Sequence, residues 1–244
     1  MALNIDHLPV FTGEIPNIEE ILNTLTSSKG ADWLRTQVKS KGLATVTSRQ
    51  SGEEIVLPSR RQCNRWTFGE DMVSKLDDIL REIVSFYVRG AIEPNGVEFD
   101  LVNIKSHGDV LLYEKGDFFR EHRDTVEEKP PLVSPEDYYH YSLLLALIDT
   151  EEGGETGIIT PMDGIQKKVL YTETTKKGNF LLFPSEQMHF GNEIRCGTKM
   201  VLKMDYWINI PTWYVMDYFN DPHDQYDNYL PSEDDDSWCN GYHI

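Results

Sequence analysis

The sequence predicts an α+β protein that is mainly β, with helices in its N-terminal part supporting a β core. Residues 17–40 and 69–89 carry apolar side chains at helical spacing. After Gly96, short extended runs alternate with turn clusters, a pattern typical of an all-β sandwich or barrel. The 244 residues suffice for one large buried core. We expect an N-terminal region at 1–98, a β core at 99–215 and an acidic tail at 216–244.

Two N-terminal segments predict helices. In the first, "IEEILNTL" places Ile18, Ile21 and Leu25 on one face, and "ADWLRTQV" resumes the pattern after a break at Lys29-Gly30. The second runs from Gly69 to Arg89, with apolar residues recurring three and four positions apart, and Gly90 is expected to end it. Residues 42–68 lie between them and are predicted to be extended.

The remaining strands follow from apolar runs bounded by turn residues. These runs are "FDLVNIKS", "DVLLYEKG", "YYHYSLLLALID", "GIITP", "KKVLYTETT", "NFLLFP" and "TKMVLKMDYWINI". The glycine pair in "EEGGETGI" is not followed by the Lys-Ser/Thr or the helix of a phosphate-binding loop, so we interpret it as a hairpin turn.

The composition of the chain argues against two classes of partner, nucleic acids and membranes. A net charge of -18 repels phosphate backbones, so nucleic acid is a poor partner, and it favours a cationic substrate or simply solubility. No run is long and apolar enough for a membrane span, and the N-terminus lacks a secretory pattern, so no membrane partner is expected. Cys63, Cys196 and Cys239 have no CxxC spacing, which favours a reducing, cytoplasmic setting.

Three side chains form a candidate metal site. His122 and Asp124 are two residues apart in "FFREHRDTVEE", and on a strand such residues point to the same face while Arg123 points away. His189 follows the strand "NFLLFP". Two imidazoles and one carboxylate make the facial triad that binds non-haem Fe(II) and leaves positions open. Taken alone, H-x-D is common, and a solvated turn is the alternative interpretation.

Lys199 and Tyr113 are candidates for an anion site. Lys199 opens the strand "TKMVLKMDYW", and a lysine directed into an apolar barrel is costly unless it meets an anion. An outward-directed Lys199 is the alternative, and Arg195 is the rival cation. Tyr113, in "YEKGDFF", could donate a hydrogen bond to the same anion. Met188 and Phe190 flank His189 as candidate pocket wall, whereas His107, His140, His223 and His243 have no partner at ligand spacing.

Together these motifs resemble the prolyl 4-hydroxylase-like family of Fe(II)/2-oxoglutarate-dependent oxygenases. The family pattern is Y-x-x-G, H-x-D, G-G-E-T, G-x-x-L-x-F, a distal histidine, and G-x-K ending ten residues after it. Its counterparts occur here in that order, within roughly residues 110–208: Tyr113 and Gly116, His122 and Asp124, Gly153 to Thr156, Gly178 to Phe183, His189, and Gly197 with Lys199.

The resemblance implies a double-stranded β-helix (jelly roll) core with flanking N-terminal helices. It implies that His122, Asp124 and His189 hold Fe(II) and that 2-oxoglutarate chelates this iron. The far carboxylate of 2-oxoglutarate is then expected to pair with Lys199 and to accept a hydrogen bond from Tyr113. It further implies O2 as co-reactant, succinate and carbon dioxide as products, and C–H hydroxylation; ascorbate is a further candidate cofactor. Related halogenases lack the carboxylate that Asp124 supplies, which favours hydroxylation.

Several alternatives remain at this level. The substrate is a peptidyl residue, with proline the leading candidate, or a free amino acid or other small molecule. A non-catalytic β-helix binding module and a cupin-like metal enzyme that does not use 2-oxoglutarate are the other classes. The acidic, proline-rich segment 125–137 departs from the family pattern and reads either as a lid or as a floppy insertion.

Overall fold

The computed structural model describes residues 8–47, 54–92, 101–103, 107–124, 138–162 and 165–209. The described chain forms the helices α1 (Ile18–Thr26), α2 (Ala31–Lys41) and α3 (Glu70–Ile92). The predicted break between the first two is present: Ser27 takes a left-handed conformation (φ 50°), and Gly30 (φ 84°) caps the start of α2.

The end of α3 differs from the prediction. The helix continues through Gly90 to Ile92 instead of stopping at Arg89. A glycine ends a helix when it adopts a positive φ, and Gly90 remains helical. Its cost within a helix is only about 1 kcal/mol, which the packing of a long amphipathic helix outweighs.

The strands are short in the N-terminal part and longer in the core. In chain order they are β1 (Phe11–Glu14), β2 (Val46–Thr47), β3 (Glu54–Ile55), β4 (Arg61–Gln62), β5 (Asn64–Gly69), β6 (Leu101–Asn103), β7 (His107–Glu114), β8 (Phe118–His122), β9 (Tyr138–Ala146), β10 (Glu152–Gly153), β11 (Thr156–Met162), β12 (Ile165–Tyr171), β13 (Asn179–Pro184), β14 (His189–Gly191), β15 (Ile194–Cys196) and β16 (Thr198–Asn209). A 3-10 helix spans Glu173–Thr175.

Two antiparallel sheets make up the jelly-roll core, as expected. The larger, seven-stranded sheet has the order β1-β13-β9-β16-β7-β5, with β6 also paired to β16. The smaller, five-stranded sheet has the order β12-β11-β14-β8-β4. Because β1 and β5 complete the larger sheet at its two ends, the N-terminal region is continuous with the core. The expected boundaries near residues 98 and 215 lie outside the described residues.

The helices cover one face of the larger sheet, and the smaller sheet faces the other. Buried side chains from helices and sheet form the main core, among them Leu22, Leu34, Leu80, Val84, Leu143, Leu145, Leu202 and Met204. On the opposite face, Leu181 and Phe183 of β13 pack with Ile158 of β11. Side chains alternate along a strand, so each long strand of the larger sheet presents every second residue to the space between the sheets.

The turn at Gly153-Gly154 is not a hairpin, contrary to the prediction. It carries the chain from β9 in the larger sheet, through β10 paired with β15, to β11 in the smaller sheet. Gly153 has a positive φ of 81°, and a Cβ there would lie 2.2 Å from the carbonyl oxygen of Glu193. The glycine therefore permits a close backbone approach at the crossover.

Within the described residues, no helix combines the length and the apolar character needed to cross a membrane.

Candidate metal centre

The pairing of β8 with β14 brings the three predicted metal ligands together. His122, the last residue of β8, is opposite His189, the first residue of β14. Asp124 lies two residues beyond the end of β8, where its backbone N–H donates to the carbonyl of Ser185 at 2.8 Å. One ligand atom from each of the three side chains lies within 4.8 Å of the others, so together they could hold a metal ion.

The distances define a small cluster. Nε2 of His122 lies 3.6 Å, and Nε2 of His189 3.8 Å, from Oδ1 of Asp124. The intervening Arg123 is exposed and donates to the carbonyl of Glu186, so it points away as strand alternation requires. His189 begins a short strand of its own, whereas the sequence pattern placed it in the segment after β13.

Backbone carbonyls orient both imidazole rings. Nδ1 of His122 lies 2.8 Å from the carbonyl oxygen of Arg120, and Nδ1 of His189 lies 2.8 Å from that of Gln187. In each ring Nδ1–H is the donor, which leaves the lone pair on Nε2 directed toward Asp124. Burial, reinforced by His122, lowers the pKa of His189 to about 3, so this imidazole is neutral near pH 7, as a metal ligand must be.

Asp124 presents its two oxygens to different surroundings. Oδ1 faces the imidazoles, whereas Oδ2 accepts a hydrogen bond from Ser142 at 2.6 Å and lies 3.4 Å from Nζ of Lys203. Burial alone would raise the pKa of Asp124, but Lys203 and then His189 hold it well below its usual range. The site thus offers two imidazole nitrogens and one ionised carboxylate, a donor set that fits Fe(II).

Lys199 lies in the interior, as predicted. Its side chain is 5% exposed, and Nζ donates to the carbonyl of Gly154 at 2.6 Å and to Oγ1 of Thr174 at 3.0 Å. Oγ1 of Thr156 lies at 3.5 Å. Among the described residues, no carboxylate lies within ion-pair distance of this ammonium group. The G-G-E-T turn and the 3-10 helix therefore surround Lys199 with neutral oxygens and leave its charge for an anion to compensate.

Tyr113 is the cross-strand neighbour of Lys199. The two residues are opposite each other in the pairing of β7 with β16, and Nζ of Lys199 is 6.0 Å from the centre of the tyrosine ring. Burial, together with Cys63, raises the pKa of Tyr113, so the phenol stays protonated and can donate a hydrogen bond. Tyr113 therefore lies where an anion bound to Lys199 could also receive its hydroxyl.

We predict that the buried amine of Lys199 makes stability depend on pH. Burial lowers the pKa of Lys199 to about 7 from an ordinary value of 10.5, although Glu155 opposes the shift. Between these two values the unfolded chain binds a proton that the native chain does not, so the free energy of unfolding should rise as pH increases through this window. Urea unfolding at about pH 7 and about pH 9 measures the slope.

The matched comparison for this prediction is Lys199→Met. The variant lacks the titrating amine, so its unfolding free energy should gain less between the two pH values than that of the wild type. Equal gains in the two proteins would show that Lys199 is charged in the native ligand-free state.

One cavity of about 770 Å³ contains both the cluster and the buried lysine. Met188 and Phe190 line it, as predicted, and so does His107. Its lining also includes the three candidate ligands, Lys199, Ile55 of β3 and Arg61 of β4. The metal cluster and the anion site therefore open into the same space.

Other predicted candidates lie elsewhere. Arg195, the rival cation, is exposed and forms an ion pair with Glu152 at 2.9 Å. His140 is buried and packs against Trp207, with ring centres 5.1 Å apart. Segment 125–137, the tail at 216–244, His223, His243 and Cys239 lie outside the described residues.

Sequence reasoning missed three polar residues of the site: Arg61, Ser142 and Lys203. Lys203 was detectable, because it is four residues from Lys199 on one strand and must share its face. Ser142 and Arg61 come from β9 and β4, and no spacing in the sequence connects them to the histidines. The guanidinium of Arg61 lies 4.5 Å from the centre of the Phe119 ring, which stacks on His122 with centres 3.4 Å apart.

Comparisons with known proteins agree with this geometry. Residues 108–209 match the model of the 2OG-Fe(II) oxygenase superfamily. No curated protein shows significant sequence similarity to the chain. Among solved structures, a prolyl hydroxylase from Trichoplax adhaerens, in complex with a peptide of hypoxia inducible factor, has a TM-score of 0.52 at 13% identity and covers 82% of this chain and 83% of its own.

Two other solved structures are similar at lower scores. A prolyl-4-hydroxylase from Pseudomonas putida has a TM-score of 0.49 at 15% identity, over 82% of this chain and 92% of its own. A viral collagen prolyl hydroxylase from Paramecium Bursaria Chlorella virus-1 has a TM-score of 0.43 at 18% identity, over 85% of this chain and 99% of its own. The β core of this chain, residues 108–209, is therefore similar to the 2OG-Fe(II) oxygenase superfamily, enzymes that use iron, 2-oxoglutarate and O2.

Proposed function

We propose that the protein hydroxylates a C–H bond of a peptidyl residue, with proline the leading candidate, and releases succinate and carbon dioxide. One observation carries the proposal: the ligand atoms of His122, Asp124 and His189 face the same cavity as the buried ammonium of Lys199. A metal and a dicarboxylate can therefore be bound side by side in one enclosed space.

Each residue has a role in this proposal. His122, Asp124 and His189 hold the iron, which supplies the oxidising chemistry when it is bound. Lys199 pairs with the far carboxylate of 2-oxoglutarate, and Tyr113 donates to that carboxylate. Phe183 packs beside His189, with ring centres 4.6 Å apart, and helps to exclude water from the metal.

The lining of the cavity supports a peptide as substrate. Lys199 is buried, whereas Glu54 and Ile55 of β3 are exposed lining residues, so we propose that the substrate enters from the side of β3. There Ile55 and Leu57 line the wall, and Ile55 is exposed. An apolar surface beside the entrance suits a flanking segment of polypeptide and a ring such as that of proline.

A free amino acid is the second candidate, and Arg61 favours it. The Arg61 side chain lines the cavity and donates to Sγ of Cys63 at 3.2 Å, and no carboxylate of the described residues lies within ion-pair distance of it. The carboxylate of a small substrate could take that place. A non-catalytic binding module is the third possibility, and it would bind the cosubstrate without consuming it.

Succinate release tests the proposal. Purified protein with Fe(II), 2-oxoglutarate, O2 and ascorbate should form succinate, with faster turnover when its substrate is added. A library of proline-containing peptides and a panel of free amino acids are then compared by mass spectrometry for the gain of one oxygen atom. Oxygen added only to free amino acids would replace the peptide proposal, and cosubstrate binding without succinate would support the non-catalytic module.

The cellular setting we propose is the reducing cytoplasm. Cys63 and Cys196, the cysteines in the described part of the chain, are both free thiols, one buried and one exposed. Free cysteines are typical of reducing compartments.

A further inference from the structure

A second lysine of β16 lies directly behind the candidate metal ligand Asp124. Lys199, Val201 and Lys203 alternate with the core residues of this strand and line the cavity. Nζ of Lys203 is 3.4 Å from Oδ2 of Asp124 and 2.9 and 3.0 Å from the two carboxylate oxygens of Asp205. The Lys203 side chain is only 16% exposed, so this ammonium is shared between two largely buried carboxylates.

Ser142 completes the arrangement around Oδ2 of Asp124. Its hydroxyl lies 2.6 Å from that oxygen, 2.8 Å from Oγ of Ser185 and 3.1 Å from Oδ1 of Asp205. A serine has one hydrogen to donate, and the shortest contact is to Asp124. Lys203 therefore contacts both oxygens of Asp205 and, with Ser142, is one of two groups that hold Oδ2 of Asp124 away from the imidazoles.

We propose that Lys203 is a positioning residue that makes Asp124 a ligand through one oxygen and balances the charge of the loaded site. The inference rests on the proposed function, because it requires a metal at His122, Asp124 and His189. With Oδ2 engaged by Lys203 and Ser142, only Oδ1 is available to the metal, and coordination positions remain for the cosubstrate and O2.

Lys203 supplies one of the buried positive charges of the loaded site. Asp124, Asp205 and the dianionic 2-oxoglutarate carry negative charge, and the divalent metal, Arg61, Lys199 and Lys203 carry positive charge. Without Lys203, Asp124 and Asp205 lose a buried cation that lies 3.4 Å and 2.9 Å from them, so the negative charge beside the metal increases, which repels the dianion and attracts the cation. Loss of Lys203 should therefore weaken 2-oxoglutarate binding while leaving metal binding equal or tighter.

Calorimetry with Mn(II), followed by 2-oxoglutarate, tests this on the full chain without catalytic turnover. For Lys203→Met we expect Mn(II) affinity at or above that of the wild type and 2-oxoglutarate affinity about tenfold or more weaker. Lys203→Arg keeps the charge and should stay within about threefold of the wild type. Lys168→Met, which removes a surface lysine paired with Glu121, is the matched control and should change neither affinity.

The double variant Lys203→Met/Asp205→Asn separates charge from positioning, because it removes one buried carboxylate together with the lysine that contacts it. It restores the balance of charge, so 2-oxoglutarate affinity should return to within about threefold of the wild type. Oδ2 of Asp124 still lacks its ammonium partner, so the visible spectrum of the Co(II)-loaded protein, which reports coordination number, should differ from that of the wild type.

Each outcome decides a separate point. Wild-type protein that binds neither Mn(II) nor 2-oxoglutarate would contradict the proposed function itself. If the wild type binds both and Lys203→Met binds 2-oxoglutarate as tightly, the charge role is wrong while the proposed function stands. A double variant with an unchanged Co(II) spectrum overturns the positioning role, whether or not Lys203→Met folds.

Discussion

Replacing Asp124 with alanine is expected to abolish iron binding and, with it, succinate release. The carboxylate is the only anionic member of the cluster, and its Oδ1 lies 3.6 and 3.8 Å from the two imidazole nitrogens. Without it, two imidazoles remain to hold the cation, with Lys203 beside them and no longer neutralised by Asp124. Because even outer-shell changes cost 10–100-fold in metal affinity, loss of this ligand should cost more than about a hundredfold.

Anaerobic Fe(II) calorimetry and a succinate assay measure this effect. Asp109→Ala is the matched control, because Asp109 lines the same cavity but accepts a hydrogen bond from Thr67 at 2.6 Å and contacts neither imidazole. The control should keep both iron binding and succinate release. An Asp124→Ala protein with wild-type iron affinity would remove Asp124 from the ligand set.

Replacing Lys199 with methionine should separate the two binding events. The three candidate metal ligands are untouched, so iron affinity should persist. The far carboxylate of 2-oxoglutarate would lose its buried partner, at a cost of about 3 kcal/mol, or on the order of a hundredfold in affinity. The folded protein should not be less stable, because methionine fills similar volume and a buried cation is removed.

Binding of 2-oxoglutarate to the Mn(II)-loaded protein checks this expectation. Arg195→Met is the matched control, since Arg195 is exposed and paired with Glu152. Its 2-oxoglutarate affinity should equal that of the wild type. If Lys199→Met keeps its affinity and Arg61→Met loses it, the anion site lies at Arg61.

The local pattern of the sequence was enough to predict which face of a strand each candidate residue occupies. Alternation along β16 places Lys199 in the cavity and Met200 in the core beneath the helices. His122 and Asp124 likewise face one point while Arg123 is exposed, although Asp124 lies two residues beyond the end of β8. These predictions depend only on the backbone geometry of a strand, which is why they needed no knowledge of the tertiary structure.

What the sequence could not predict depends on contacts between distant segments. The register that sets His122 opposite His189 pairs residues that are 67 positions apart in the sequence. The crossover at Gly153 and the approach of Arg61 to Phe119 likewise exist only in the folded chain. At Gly90 the local pattern predicted the end of a helix, but α3 continues to Ile92 because its packing outweighs the cost of a glycine.

Net charge was a poor guide to the cavity. The chain carries -18 overall, yet Arg61, Lys199 and Lys203 line the space around the candidate metal ligands. A cavity of this kind suits a dianionic cosubstrate, whereas the total charge favoured a cationic ligand. The net charge of the chain bears on its solubility, whereas the few buried charged residues determine what the site binds.

A crystal structure of the protein with Mn(II) and 2-oxoglutarate tests the central claim most directly, through the anomalous scattering of the metal. We predict one ion bonded to Nε2 of His122, Oδ1 of Asp124 and Nε2 of His189, with a cosubstrate carboxylate on Nζ of Lys199. An ion bound elsewhere, or a cosubstrate whose carboxylates both lie away from Lys199, would contradict the account.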